Sequence, residues 1–328
     1  MRRVAALVLA GLTLAPAAAH GATPTAVFGL RAVGNNQLGY FVYTLAPDGS
    51  ETGAVIVSNV GTATGTVKLF AADATTGRTT GTVYVTDRPP TGAGSWIALS
   101  SAAVTLAPGA HQQVGFTVHV PAATPPGEWV GGIVAEASHR LTSPKSQQKA
   151  NVQIKIRDQT IVAVESKVPG PRVVDFRVGS VTAGGRSGFQ QLFVHFASKG
   201  NVLLKPTGHV SVHDAHGRLI ETVGFRMDTF LPQTAIDYPL LLKTALPAGH
   251  YRADVTLRAP GAPTVTATRA FAVSQANVKQ VFTSASPTQG APSGSSTTTT
   301  ILAVVAGAAI AALLVALVLL WRSRRRPA

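Results

Sequence analysis

From Thr23 to Ser274 the apolar residues alternate with polar ones in short runs and do not recur at helical spacing. In Phe116-Thr117-Val118-His119-Val120 the apolar side chains fall on one parity. In Tyr251 to Leu257 the charged Arg252 and Asp254 fall opposite Tyr251, Ala253, Val255 and Leu257. Each run therefore has one face to bury and one to wet, the pattern of a strand in an antiparallel sheet. Turn-forming residues separate the runs at Pro47-Asp48-Gly49, Thr76-Gly77, Pro108-Gly109, Pro126-Gly127, Asp214 to Gly217 and Ala248-Gly249. Many short strands with this punctuation predict an all-β chain of sandwich type.

A weak internal repeat predicts two copies of that architecture. Pro108 leads to Phe116 and, 21 positions on, to Trp129 after a glycine turn; Pro232 leads to Tyr238 and, 19 positions on, to Tyr251 after another. Each copy thus carries a late strand opened by an aromatic that packs across the layers, and Tyr251 is placed to form a tyrosine corner. The stiff Pro169-Gly170-Pro171 break divides the copies. The expected organisation is two tandem immunoglobulin-like β-sandwich domains at 23–157 and 172–274, joined by a linker at 158–171 and followed by a single C-terminal transmembrane helix.

The chain ends prompt that last element. Arg2 and Arg3 precede the apolar run Val4 to Leu14 and a small-residue stretch, the layout of a secretory signal at 1–21. Residues 284–300 hold Ser, Thr, Pro, Gly, Ala and Gln without charge and read as a stalk. Residues 301–321 are uncharged and apolar, long enough to cross a bilayer core of about 30 Å, and four arginines in the tail 322–328 set a cytoplasmic C-terminus. The expectation is a single-pass type I protein of the cell membrane, with lipid as partner through 301–321 and the domains facing the cell wall.

Charge alters this picture only slightly. Of 28 basic residues, two leave with the signal and four lie in the tail, so 22 face 14 acidic ones and the exported part carries +8. That mild basicity suits anionic polymers or headgroups, and nucleic acid is excluded as a partner outside the cell. No cysteine is present, so thiol chemistry and disulfides are excluded and the fold rests on burial.

Catalytic motifs are absent: there is no Gly-x-Ser-x-Gly, no His-Glu-x-x-His, and no phosphate or dinucleotide loop. The chain reads as no enzyme, with no cofactor and no assignable catalytic, metal or ligand-binding residue. His209, His213 and His216 flank a hairpin near Asp214; a metal site is weighed there against a solvated strand face, and the latter is favoured. Leu231-Pro232-Gln233-Thr234-Ala235 imitates a wall-sorting signal but lies inside the second domain, so it reads as a turn. Trp96 and Trp129 are candidates for stacking on sugar rings, with core packing preferred. Lys145, Lys149, Lys155 and Arg157 form the densest basic stretch, a candidate for anionic polymer that reads first as a solvated strand face.

Residues 28–137 resemble the peptidoglycan-binding domain of WxL-interacting proteins, membrane-anchored surface proteins of Gram-positive bacteria. The resemblance runs through Gly39-Tyr40-Phe41, Leu45 to Gly49, Ala54 to Asn59, Gly81 to Tyr84, Val104 to Gly109, Val118 to Pro121 and Gly127 to Ile133. It implies a second sandwich, a membrane helix and a basic tail after the first domain. It further implies a non-enzymatic cell-surface protein that binds cell-wall peptidoglycan or associated anionic wall polymers, and other surface proteins. No binding residue transfers. The alternative is an accessory or positioning subunit of a membrane-associated export or signalling assembly.

Overall fold

The computed structural model describes residues 24–34, 39–79, 81–141, 154–186 and 188–283. The expected signal at 1–21, the stalk at 284–300, the span at 301–321 and the tail at 322–328 lie outside the described residues. No helix among the described residues is long and apolar enough to cross a membrane.

The described residues are all-β, with four sheets and one short helix among them. The first unit begins with β1 (Phe28–Ala32), β2 (Phe41–Thr44), β3 (Ser50–Asn59), β4 (Gly65–Gly77) and β5 (Gly81–Val85). After a 3-10 turn at Ala93–Trp96 come β6 (Ile97–Leu99), β7 (Ala103–Leu106), β8 (His111–His119), β9 (Gly127–Leu141) and β10 (Ile154–Val168). One sheet has the order β1-β3-β8-β6; the other runs β2-β10-β9-β4-β5, with β7 also paired to β4. The alternation read in the sequence decides which face goes inward: Val114, Phe116 and Val118 of β8 are buried, and His119 is exposed. They meet Val55, Val57, Val67, Leu69, Ile133, Val162 and Val164 in one core between the two sheets.

The second unit holds β11 (Phe176–Arg186), β12 (Phe189–Ser198), β13 (Thr207–His213), β14 (Leu219–Arg226), β15 (Ala235–Leu241), β16 (Gly249–Arg258) and β17 (Val265–Val273). Its sheets run β11-β12-β15 and β14-β13-β16-β17 around a separate core. Phe196, Phe230, Leu192 and Leu257 are its largest fully buried side chains. A short helix, α1 (Gln275–Thr283), closes the unit. Ser274 starts it by accepting the Asn277 amide on its hydroxyl at 3.0 Å, and the Asn277 side chain accepts from the Ser274 amide at 3.1 Å, a reciprocal cap. Val278 packs the helix against the second core, and Val281 is buried.

The stretch expected as a linker is corrected in part. Strand β10 continues through Val168 without a break in its register against β9, and Val162, Val164 and Val168 belong to the first core. The charged Glu165 and Lys167 disguise this segment. Glu165 is buried and its carboxylate lies 3.4 Å from the Lys167 ammonium, so polar residues occupy strand positions beside a buried apolar set. Only the proline pair beyond Val168 leaves the sheet.

Candidate functional site

The two fifteen-residue strands β9 and β10 form a hairpin that dominates the first unit. One edge of β10 is laddered to β9 from end to end, from Ile154↔Leu141 to Val168↔Gly127. On the other edge the parallel strand β2 covers only Val164–Lys167. The Leu45 amide donates to the Lys167 carbonyl at 3.0 Å, so the Lys167 peptide groups face β2. Peptide groups alternate sides along a strand, which turns those of Gln159 and Ile161 to the same outer edge and those of Thr160 and Val162 toward β9. Among the described residues no strand pairs that edge ahead of Val164.

Edges are normally blunted by proline, lysine or a bulge. Between Gln159 and Ala163 this edge has none of these, and its register against β9 is unbroken. The side chains there are fixed from within. Gln159 donates to Glu136 Oε2 at 2.7 Å and to the Thr86 hydroxyl at 3.1 Å, and the Thr160 hydroxyl donates to the Phe28 carbonyl at 3.2 Å. Ile161 and the Tyr84 ring crowd Gly132, where a Cβ would sit 2.4 Å from a ring carbon. Burial pushes the Tyr84 hydroxyl up to about 12. The edge thus keeps an unbroken register against β9, while ahead of Val164 its outward peptide groups meet no paired strand among the described residues.

A second feature lies where the units meet. Beyond Asp73↔Gly131 the strands β4 and β9 no longer share a ladder, and they diverge into a wedge. The second unit closes its foot, leaving a cleft of about 770 Å³. Its walls include Pro125, Pro126, Trp129, Pro171 and Pro232. Polar contacts pin the units together around it. Asn201 donates through Nδ2 to the carbonyls of Pro126 (3.0 Å) and Pro171 (2.9 Å), accepts the Val173 amide at 2.7 Å, and through its own carbonyl accepts the Glu128 amide at 2.8 Å. The Glu128 carboxylate takes the Leu203 amide on one oxygen and Arg172 Nη1, at 2.8 Å, on the other. Thr76 Oγ1 accepts the Leu231 amide at 2.8 Å and lies 2.6 Å from Thr234 Oγ1.

The residues singled out in the sequence are dispersed. Leu231 is buried at the joint and Gln233 is left-handed, at φ 57°, with its amide donating to the Lys199 and Gly200 carbonyls; the segment is a turn. Trp129 packs on Trp96, with ring centroids 5.4 Å apart, and both lie against the first core. Its indole N–H donates to the Pro125 carbonyl at 3.2 Å, and the Tyr251 hydroxyl donates to the Pro247 carbonyl at 2.8 Å, each four residues upstream. The repeat thus appears as the same aromatic corner in both units. His213 is engaged by Asp254 (3.2 Å) and the Gly217 carbonyl (3.2 Å), and no group of three metal-ligating side chains converges among the described residues. Lys145 and Lys149 lie outside the described residues, and Arg157 pairs with Glu136 at 3.8 Å.

Sequence reasoning missed one constellation. Ser50 Oγ lies 2.9 Å from His119 Nδ1, and His119 Nε2 lies 3.6 Å from Asp48. The serine and histidine are directly opposed in the β3–β8 ladder, a signal visible only once register is known. The site lacks what acyl transfer requires. The imidazole and carboxylate side chains are 53% and 76% exposed, and the amides of Asp48, Gly49 and Val120 are all spent on turn carbonyls, leaving none of them to hold an oxyanion.

No family model matches the chain, and no curated protein matches it. Among solved structures, one described as a chaperone–tip adhesin complex of CFA/I fimbriae biogenesis aligns at 13% identity and a TM-score of 0.35, covering 74% of this chain and 98% of that one. The Salmonella enterica SafA pilin in complex with the SafB chaperone aligns at 10% identity and 0.34, covering 77% and 99%. The CsuC–CsuE chaperone–tip adhesion subunit complex of Acinetobacter baumannii aligns at 9% and 0.34, covering 75% and 98%. The expectation of a membrane-anchored protein that binds peptidoglycan or anionic wall polymers finds no support in these comparisons, and that function, those partners and the type I membrane localisation are withdrawn. At such scores they assign no function in return.

Proposed function

We propose that the protein is a non-catalytic binding module that holds an extended segment of another polypeptide along the outer edge of β10, in the manner of an assembly chaperone. The observation that carries this reading is the β10 edge itself, paired to β2 only over Val164–Lys167 and laddered without a register shift to β9 on its other side. A strand added there gains main-chain hydrogen bonds to Gln159 and Ile161, and alternate side chains read its sequence. Pilin and tip-adhesin subunits are the partners in the neighbouring structures' descriptions, and a surface protein of that kind suits the reading here. We propose further that the two units are tandem immunoglobulin-like sandwiches, as their paired sheets and separate cores support. Kinship of residues 28–137 with WxL-interacting proteins is part of the same proposal. It is supported by the succession Val120-Pro121, Pro126-Gly127 and Gly131-Gly132-Ile133.

A displayed library of extended peptides, selected on the full chain, tests the reading. Proline at position 161 removes only an outward N–H and leaves the β9 ladder in place. Binders should be lost on Ile161→Pro and kept on Ile161→Val, with both variants melting as cooperatively as the parent. Binders indifferent to Ile161→Pro, or no binders at all, would sink the assignment.

A further inference from the structure

The cleft at the joint is chemically unlike the β10 edge, and its charges point to a ligand of one sign. Beyond Arg88 and Lys199, three carboxylates bear on it. Asp73 is spent: its two oxygens accept the amides of Thr91 (2.6 Å), Gly92 (2.9 Å) and Gly94 (2.8 Å). Glu128 is spent on Arg172 and the Leu203 amide, with its side chain 10% exposed. Asp175, next to the cleft, is held by Arg177 through both oxygens. What remains to meet a ligand is cationic. Arg88 comes from the first unit and Lys199 from the second, both exposed; among the described residues no carboxylate lies within ion-pair distance of either, and the Asp175 carboxylate, which feels the Lys199 charge, is held by Arg177.

We propose that this cleft is a second binding site, for an acidic segment of a polypeptide. Three features favour a chain over a small anion. The volume is in the range of pockets that enclose ligands much larger than a single anion. The two cations stand on different units, Arg88 on the first and Lys199 on the second, so they suit carboxylates spaced along a chain more than one compact phosphate. Between them the surface is proline rings and the Trp129 indole, flat apolar walls against which side-chain stems and backbone pack. Gln233, the left-handed residue at the rim, fixes the Lys199 backbone by donating to its carbonyl at 2.8 Å. The cationic head is therefore presented from a rigid turn.

The site is independent of the β10 edge, and the test keeps the two apart. Binding of fluorescein-labelled hexaglutamate to the full chain is measured by anisotropy, beside free glutamate and inorganic polyphosphate. The double reversal Arg88→Glu, Lys199→Glu should weaken hexaglutamate binding by about tenfold or more, as truncating complementary charges does. Lys243→Glu, an exposed cation outside the cleft, should change it little, and Ile161→Pro should leave it untouched. Equal loss on Lys243→Glu would show diffuse attraction to a basic protein and overturn the site. Polyphosphate binding as tightly, with the same dependence on Arg88 and Lys199, would overturn the polypeptide class, as would free glutamate competing at its own low concentration. Absence of hexaglutamate binding would end the proposal.

Discussion

Tyr84 shows how one side chain reports on the sheet it covers. Its ring lies over Gly132 beside Ile161, and burial raises its hydroxyl from 10 to about 12. Below the ordinary value both folded and unfolded chains keep the proton, so nothing is lost. As pH climbs from about 10 toward 12 the unfolded chain ionises first and stability falls. Tyr43 adds to the same decline, raised to about 12 by burial and then by Glu51. Denaturant melts taken between about pH 9 and pH 11 should therefore show a shallower loss for Tyr84→Phe than for the parent. An identical slope would mean that the ring is exposed. Such a contact is not legible in the sequence, since nothing near Tyr84 announces Gly132. The corner at Tyr251 was legible from its glycine turn, whereas Trp129, read only as packing across the layers, also donates to the carbonyl four residues before it.

At the scale of elements, alternation carried the strands well and failed at their ends. Tyr251, Ala253, Val255 and Leu257 of β16 are buried as their parity requires, while Arg252 pairs with Asp254 outside at 3.4 Å. The expected linker at 158–171 takes in most of β10, whose Val162, Val164 and Val168 enter the core although the charged Glu165 and Lys167 stand among them. The Gly131-Gly132 pair in β9 has a reason found only in the fold. A Cβ on Gly131 would stand 2.9 Å from the Gly94 amide nitrogen and 3.0 Å from the Ala93 carbonyl, so the 3-10 turn could not close over the sheet. Gly131→Ala should cost about 1–3 kcal/mol in chemical denaturation, as forced overpacking does. A neutral result would mean that the turn yields freely.

The molecule as a whole depends on a joint that no local pattern announces. Asn201 ties together Pro126, Pro171, Val173 and Glu128, groups up to 75 residues away. Asn201→Ala leaves the Val173 amide and two carbonyls without their partner, and should cost about 1–3 kcal/mol of stability. It should also loosen the cleft, read as weaker hexaglutamate binding with the β10 edge unaffected. The central claim is that this edge is open in the free protein and waits for a strand. Residue-resolved amide hydrogen exchange on the full chain tests it most directly. The amides of Thr160 and Val162, which face β9, should exchange slowly, and those of Gln159 and Ile161 should exchange fast until a selected peptide is bound. Uniform slow exchange from Gln159 to Val162 in the free protein would show the edge already covered and contradict the account.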